Sequence, residues 1–169
     1  MRRFTTRDLA VAAVTAALYA VLGYFGDLFG LTFGPIQLRF AEALTVLPFL
    51  FPAAAPGLAL GCLITNLLSP YGPIDIIFGT LATAIAAWLT MKMPKWYLAA
   101  LPPVVVNMII LPPIWAWAEV GAMGAAFWRA WAWNVFTFAV EEAIVCWVLG
   151  TVLLKGLERI PALKRTARG

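Results

Sequence analysis

Histidine is absent from this sequence, cysteine occurs twice, and charge is scarce. Each shortage excludes something. Without histidine, and with Cys62 and Cys146 far apart inside apolar runs, no residues stand at metal-ligand spacing, so a zinc site is not expected. The two cysteines read as small hydrophobic core residues. Charged residues make up 12% of the chain, against roughly 25% in soluble domains. There is no G-x-x-x-x-G-K-[ST] loop, which excludes ATP hydrolysis by that route. No nucleophile–base constellation is visible either, so the chain is not expected to be an enzyme. At 169 residues it is read as a single domain, 1–169, with no spare length for a soluble catalytic unit.

What is present is apolar. Hydrophobic residues reach 63%, with 8 Trp and 11 Phe, and the mean hydropathy is +0.91. The expected class is an all-α integral membrane protein. Six apolar segments are predicted as transmembrane helices, at about 8–25, 39–54, 56–68, 74–91, 96–118 and 127–154. The run from Leu9 to Phe25, preceded by Arg2, Arg3 and Arg7, has the charge pattern of a signal peptide. It lacks a clear cleavage site and is followed at once by more apolar sequence, so it is read as the first helix. Gly26, Gly30, Gly34 and Pro35 break the chain before the second helix, Ser69–Pro73 forms a turn before the fourth, and Gly121–Gly124 links the last two. Pro48 and Pro52 fall inside the second segment. Interior prolines are tolerated in a membrane where neighbouring protein satisfies the freed carbonyls, so the second and third segments are expected to be buried in the bundle.

The basic residues give a topology. With the N-terminus in the cytoplasm and six crossings, Arg2, Arg3, Arg7, Lys92, Lys95, Lys155, Arg159, Lys164, Arg165 and Arg168 lie inside, and only Arg39 and Arg129 lie outside. Both termini are therefore expected in the cytoplasm, and the chain in the plasma membrane as a multi-pass protein. The net charge of +4 is then a signal of topology and of a lipid surface, not of nucleic acid. Trp115, Trp117, Trp128, Trp131 and Trp133 gather at the outer ends of the fifth and sixth helices. They read either as an interfacial aromatic belt or as a wall for a flat ring.

The acids are distributed differently. Asp8 and Glu158 are cytoplasmic in this topology. Asp27, Glu42, Asp75, Glu119, Glu141 and Glu142 fall on the outer side or within the membrane. An ionisable group at bilayer depth costs at least ~2.5–3.5 kcal/mol and normally faces the bundle interior and a partner. Glu141 and Glu142 point about 100° apart on a helix. Asn134, seven residues before Glu141, shares its face, which favours Glu141 as the acid that faces the site. Bland readings stand beside these. Arg39 and Glu42 can pair with each other, Asp75 can be a helix N-cap, and Asn66 and Asn107 can be hydrogen-bond glue between helices. Taken together, the outer half offers carboxylates, amides, one guanidinium and aromatics, which suits a small, flat, polar heterocycle.

Three stretches carry a family resemblance: Phe33-Gly34-Pro35-Ile36-Gln37-Leu38-Arg39-Phe40-Ala41-Glu42-Ala43-Leu44, then Pro73-Ile74-Asp75-Ile76-Ile77-Phe78-Gly79-Thr80-Leu81-Ala82-Thr83, and the Glu141-Glu142 pair. They resemble the QueT family, the substrate-binding S components of energy-coupling-factor (ECF) transporters specific for queuosine precursors. The resemblance covers nearly the whole chain. It implies a six-helix S-component bundle that captures a 7-deazaguanine (the aminomethyl or cyano form, or queuine) from outside. It also implies one transmembrane coupling protein and two cytoplasmic ATPases as partners, which use the ATP, so no cofactor is expected in this chain. The loop between the first two helices would be a lid, and the loaded subunit would topple to face the cytoplasm. Gln37, Arg39, Glu42, Asn66, Asp75, Asn107, Asn134, Glu141 and Glu142 are the candidate substrate-binding residues. Ala12, Ala16 and Ala20, spaced four apart as are Ala13 and Ala17, are the candidate surface for the coupling protein. The alternative is a stand-alone, proton-coupled secondary transporter of a similar heterocycle. No inverted repeat is visible in support of it.

Overall fold

A computed structural model describes residues 4–32 and 38–160. Gln37, and Arg2, Arg3, Lys164, Arg165 and Arg168 of the basic set, lie outside the described residues. Within them the chain is helical throughout, without a strand, in six segments. These are α1 (Thr6–Leu28), α2 (Phe40–Phe49), α3 (Ala54–Asn66), α4 (Asp75–Thr90), α5 (Trp96–Val120) and α6 (Ala125–Glu158).

Local chemistry sets several of the boundaries. Thr5 caps α1 with a capping box: Asp8 N–H donates to Thr5 Oγ1 at 3.2 Å, and Thr5 N–H donates to Asp8 Oδ2 at 3.0 Å. Pro102 and Pro103 stand in the first helical turn of the α-helical part of α5, Leu101–Val120, where a missing N–H costs least. Gly121, at φ 72°, ends that helix in the left-handed conformation.

Three of the six helices are long and apolar enough to cross a membrane: α1, α5 and α6. The 23 residues of α1 rise about 34 Å, against about 30 Å of hydrocarbon. The other three are too short to do so; α2 and α4 are shorter than their sequence suggested, while α3 has the expected length, and proline is one reason. The second segment was expected as a helix over 39–54. It instead forms a 3-10 helix of 10 residues with Pro48 inside it, and Pro52 follows before α3 begins.

This short helix is the centre of the fold. Residues 41–48 are all buried, and α2 touches every other helix. Leu44 and Leu47 pack with Tyr19, Leu58 and Cys62, while Val46 packs with Val104, Cys146 and Leu154. A third apolar cluster joins α4, α5 and α6 through Ala86, Leu111, Trp115 and Phe138. The outer surface is apolar too, with Leu18, Val21 and Phe25 of α1 and Phe136, Val148 and Val152 of α6 exposed, as a lipid-facing surface requires.

Of the Ala12–Ala16–Ala20 stripe, expected to face a partner, Ala16 is turned inward and Ala12 and Ala20 are half-buried. Ala16 is buried. Gly57 lies against the backbone of Ala12, and a Cβ at Gly61 would stand 2.8 Å from the Ala16 carbonyl. The small residues let α1 and α3 approach each other within one chain at Ala12 and Ala16. The other pair, Ala13 and Ala17, is exposed.

Candidate functional site

The site is built where α2 begins. Arg39 stands just before the 3-10 helix, with φ −78° and ψ 84°, so its side chain does not follow the helical spiral. It is buried, and its guanidinium Nη2 donates to Asp75 Oδ2 at 3.1 Å. Its Nε donates to the Thr32 carbonyl at 3.3 Å, and its backbone N–H donates to Glu141 Oε1 at 2.8 Å. Residues from three distant parts of the sequence thus converge on one guanidinium-bearing residue.

Asp75 opens α4 in a π-helical turn, Asp75–Gly79. It is 0% exposed, and its carboxylate is used by tertiary partners rather than as an N-cap. Besides Arg39, it accepts from Ser69 Oγ at 2.8 Å and from the Trp115 indole N–H at 3.4 Å. Asn66 Nδ2 donates to the Asp75 carbonyl at 2.9 Å. An ionised pair this deep is tolerated only with such a full set of hydrogen bonds.

A second group of hydrogen bonds is centred on Glu42 and Glu142. Tyr19 of α1 donates its hydroxyl to Glu42 Oε1. Asn107 of α5 donates to Glu142 Oε1, and Cys146 donates its thiol to Glu142 Oε2 at 3.0 Å. Cys146 also reaches the Glu42 carbonyl at 3.5 Å, and Thr45 Oγ1 donates to that carbonyl at 2.5 Å. Glu141 and Glu142 end the first α-helical part of α6, Ala125–Glu142, and a π-helical stretch, Ala143–Leu149, follows directly. Such π segments widen a helix and often mark functional positions.

An aromatic wall bounds the first group. Trp115 is 3% exposed. It stacks on Tyr71 with ring centroids 4.4 Å apart and meets Phe138 edge-on at 5.2 Å. The Arg39 guanidinium carbon lies 5.9 Å from the Trp115 ring. Trp117, Trp128, Trp131 and Trp133 are exposed, as an interfacial belt would be. The tryptophan cluster therefore divides, with one ring inside and four outside.

Of the residues singled out in the sequence, Arg39, Asp75, Glu141 and Asn66 form the first group, and Glu42, Asn107 and Glu142 belong to the second. Arg39 and Glu42 take different partners. Asn134 goes elsewhere: its Nδ2 donates to Glu119 Oε1 at 3.4 Å. Gln37 lies outside the described residues. Reading the sequence missed Tyr19, Ser69, Thr32, Thr45 and the hydrogen-bonding role of Cys146. A phenol or thiol in an apolar run reads as core, and no spacing signal separates these from ordinary packing. An apolar groove of about 360 Å³, lined by Ile74, Phe78, Pro113, Ile114, Trp117, Met123 and Phe127, opens between α4, α5 and the start of α6. It contains none of the buried charges. No group of three or more His, Cys, Asp or Glu able to hold a metal ion occurs among the described residues.

The sequence model of a family described as QueT transporter matches residues 9–159. The protein named queuosine precursor transporter QueT from Lactococcus lactis subsp. cremoris (strain MG1363) is 34% identical over 85 residues. That stretch is 50% of this chain and 50% of the length of that protein. No solved structure matches.

Proposed function

The chain belongs to the QueT transporter family, and on that footing we propose that it is the substrate-capturing S subunit of an ECF-type importer for a queuosine precursor. The observation that carries the reading is a buried cluster of one guanidinium and four carboxylates, Arg39 with Glu42, Asp75, Glu141 and Glu142, inside a chain with an apolar exterior. Burying so much charge costs stability, and a polar ligand is what such a cluster can serve. A 7-deazaguanine offers N–H donors on one edge, a ring carbonyl, and a flat face. Carboxylates and amides accept from the donors, and an aromatic wall such as Trp115 suits the face.

In this reading the chain lies in the plasma membrane with both ends cytoplasmic. It has no nucleotide-binding loop of its own, so two cytoplasmic ATPases supply the energy through a transmembrane coupling protein. With Ala12 and Ala16 packed against α3, the exposed pair Ala13 and Ala17 is the small-residue surface on α1 that the coupling protein would meet. A second reading, a proton-coupled transporter acting alone, has one observation in its favour. Glu42 and Glu142 are linked to Tyr19, Asn107 and Cys146 by hydrogen bonds of the kind a proton relay uses.

Calorimetry on the purified chain in lipid nanodiscs tests the proposal. Saturable binding of aminomethyl-7-deazaguanine is expected, with no uptake into vesicles that contain this chain alone. Failure to bind the aminomethyl form, the cyano form and queuine would overturn the substrate assignment. Uptake by the chain alone, driven by a pH gradient, would establish the second reading in its place.

A further inference from the structure

The polar cluster is not uniformly satisfied, and the unsatisfied atoms share a chemistry. Among the described residues, three buried side-chain polar atoms have no hydrogen-bond partner: Glu42 Oε2, Asn107 Oδ1 and Thr80 Oγ1. The last is a hydroxyl on α4 that can turn to a neighbouring acceptor. The other two are acceptors, an amide oxygen and the oxygen of an ionised carboxylate. Both belong to residues 2% exposed, and buried acceptors of this kind are normally paired.

Their neighbours determine which atom each residue offers. Tyr19 occupies Glu42 Oε1, which leaves Oε2. Asn107 spends its amide N–H on Glu142, which leaves Oδ1. Glu142 is held in turn by Cys146, which also reaches the Glu42 carbonyl. Glu42 and Asn107 therefore belong to one connected network that joins α1, α2, α5 and α6. Of the remaining acids, Asp75 and Glu142 are engaged through both oxygens, and Glu141 is engaged through one. Both oxygens of Glu142 accept protein donors. Glu141 Oε1 holds the Arg39 backbone N–H. Asp75 holds Arg39, Ser69 and Trp115.

We infer that Glu42 and Asn107, rather than the adjacent acids Glu141 and Glu142, accept the donor edge of the ligand. This inference rests on the capture function proposed above and sharpens it. The substrate class is a ring with adjacent N–H donors, such as the ring N–H and exocyclic amine of an aminopyrimidinone. One donor goes to Glu42 Oε2 and the other to Asn107 Oδ1. Tyr19 and Glu142 are positioning residues, which fix the carboxylate and the amide in the orientation that offers these atoms. A ring lacking the exocyclic amine would leave one acceptor buried and unpaired, and this mismatch is the source of selectivity.

The test compares 7-deazaguanine with 7-deazahypoxanthine, which differs by the exocyclic amine alone, on the full chain in nanodiscs. The wild-type protein is expected to prefer 7-deazaguanine by about 10- to 100-fold. Glu42→Gln keeps an acceptor for Tyr19 but turns the free oxygen into a donor. Asn107→Leu removes the amide. At least one of these variants is expected to lose most of the preference, and a variant with only a folding defect would weaken both ligands in the same ratio. Equal affinity of the wild type for the two ligands would overturn the assignment while leaving the capture function standing. So would a preference retained in both variants, as water filling the two acceptors would produce. Binding of neither ligand, nor of any other 7-deazaguanine, would overturn both.

Discussion

The seam between α1 and α3 and the cluster around Arg39 are equally buried, but they are held by opposite means. In the seam, backbones touch. Gly57 meets Ala12, Gly61 meets Ala16 and Tyr19, and Gly23 meets Thr65. Its hydroxyls stay within their own helices, Thr15 on the Val11 carbonyl at 2.8 Å and Thr65 on the Gly61 carbonyl at 3.0 Å. In the cluster, contact is made by charge and hydrogen bonds between distant segments, such as Arg39 with Glu141, 102 residues away. The seam gains stability from every atom that fits and has no chemistry to offer a ligand. The cluster pays desolvation for each charge and offers a great deal. One region holds the fold, and the other is there despite the fold.

The largest effect that would sharpen this contrast is at Asp75. Asp75→Asn leaves Arg39 buried without its counter-charge, and stability should fall by about 3–5 kcal/mol. Cys62 and Cys146 are free and buried, so unfolding can be followed with a thiol-reactive dye. The companion variant, Arg39→Met with Asp75→Leu, removes both charges. It should recover most of the lost stability, because an apolar replacement of a buried pair is often neutral or better, and it should not bind ligand. A double variant as unstable as Asp75→Asn would mean that the pair itself holds the fold.

The seam predicts a different pattern. Gly57→Ala places a methyl group against the Ala12 carbonyl, where backbone rather than a flexible side chain must give way. A loss of about 1–3 kcal/mol is expected. Affinity measured on the folded fraction should stay at the wild-type value, because neither Gly57 nor Ala12 makes a hydrogen bond to the cluster. Unchanged stability would mean that the two helices are free to separate, and the seam would lose its role.

The sequence made much of this arrangement legible, and what stayed hidden has physical causes. Six apolar segments were separable because glycine, proline and short basic turns interrupt them. The lengths were less readable. Pro48 in an apolar run fits an α-helix with a tolerated proline as well as the 3-10 helix that forms, and only tertiary packing decides between them. Arg39 and Glu42 are three apart and would meet on a helix, but Arg39 precedes the helix and is drawn to Asp75 instead. The divergence of adjacent helical residues did separate Glu141, which meets Arg39, from Glu142, which meets Asn107. The alanine stripe on α1 announced a close helix approach but not to which helix. Glycines at Gly57 and Gly61 on α3 share its four-residue spacing, and that match was the available signal.

Tyr19 belongs to both regions, and the smallest predicted effect falls there. Its Cβ packs over Gly61 in the seam, and its hydroxyl orients Glu42 in the cluster. Tyr19→Phe keeps the ring and so keeps the seam. It removes one hydrogen bond, and a stability loss of about 1 kcal/mol is expected, below that of Gly57→Ala. The consequence for binding should be out of proportion to this. Without the hydroxyl, either oxygen of Glu42 can take either orientation, and the acceptor is no longer pre-positioned. Affinity for 7-deazaguanine should fall by roughly tenfold, a size typical of one hydrogen bond to a charged group. The preference over 7-deazahypoxanthine should shrink with it. Equal losses for the two ligands would mean that Tyr19 serves packing alone. A stability loss as large as that of Gly57→Ala would mean that the hydroxyl holds the fold, and the boundary between the two regions would have to be drawn on the far side of Glu42.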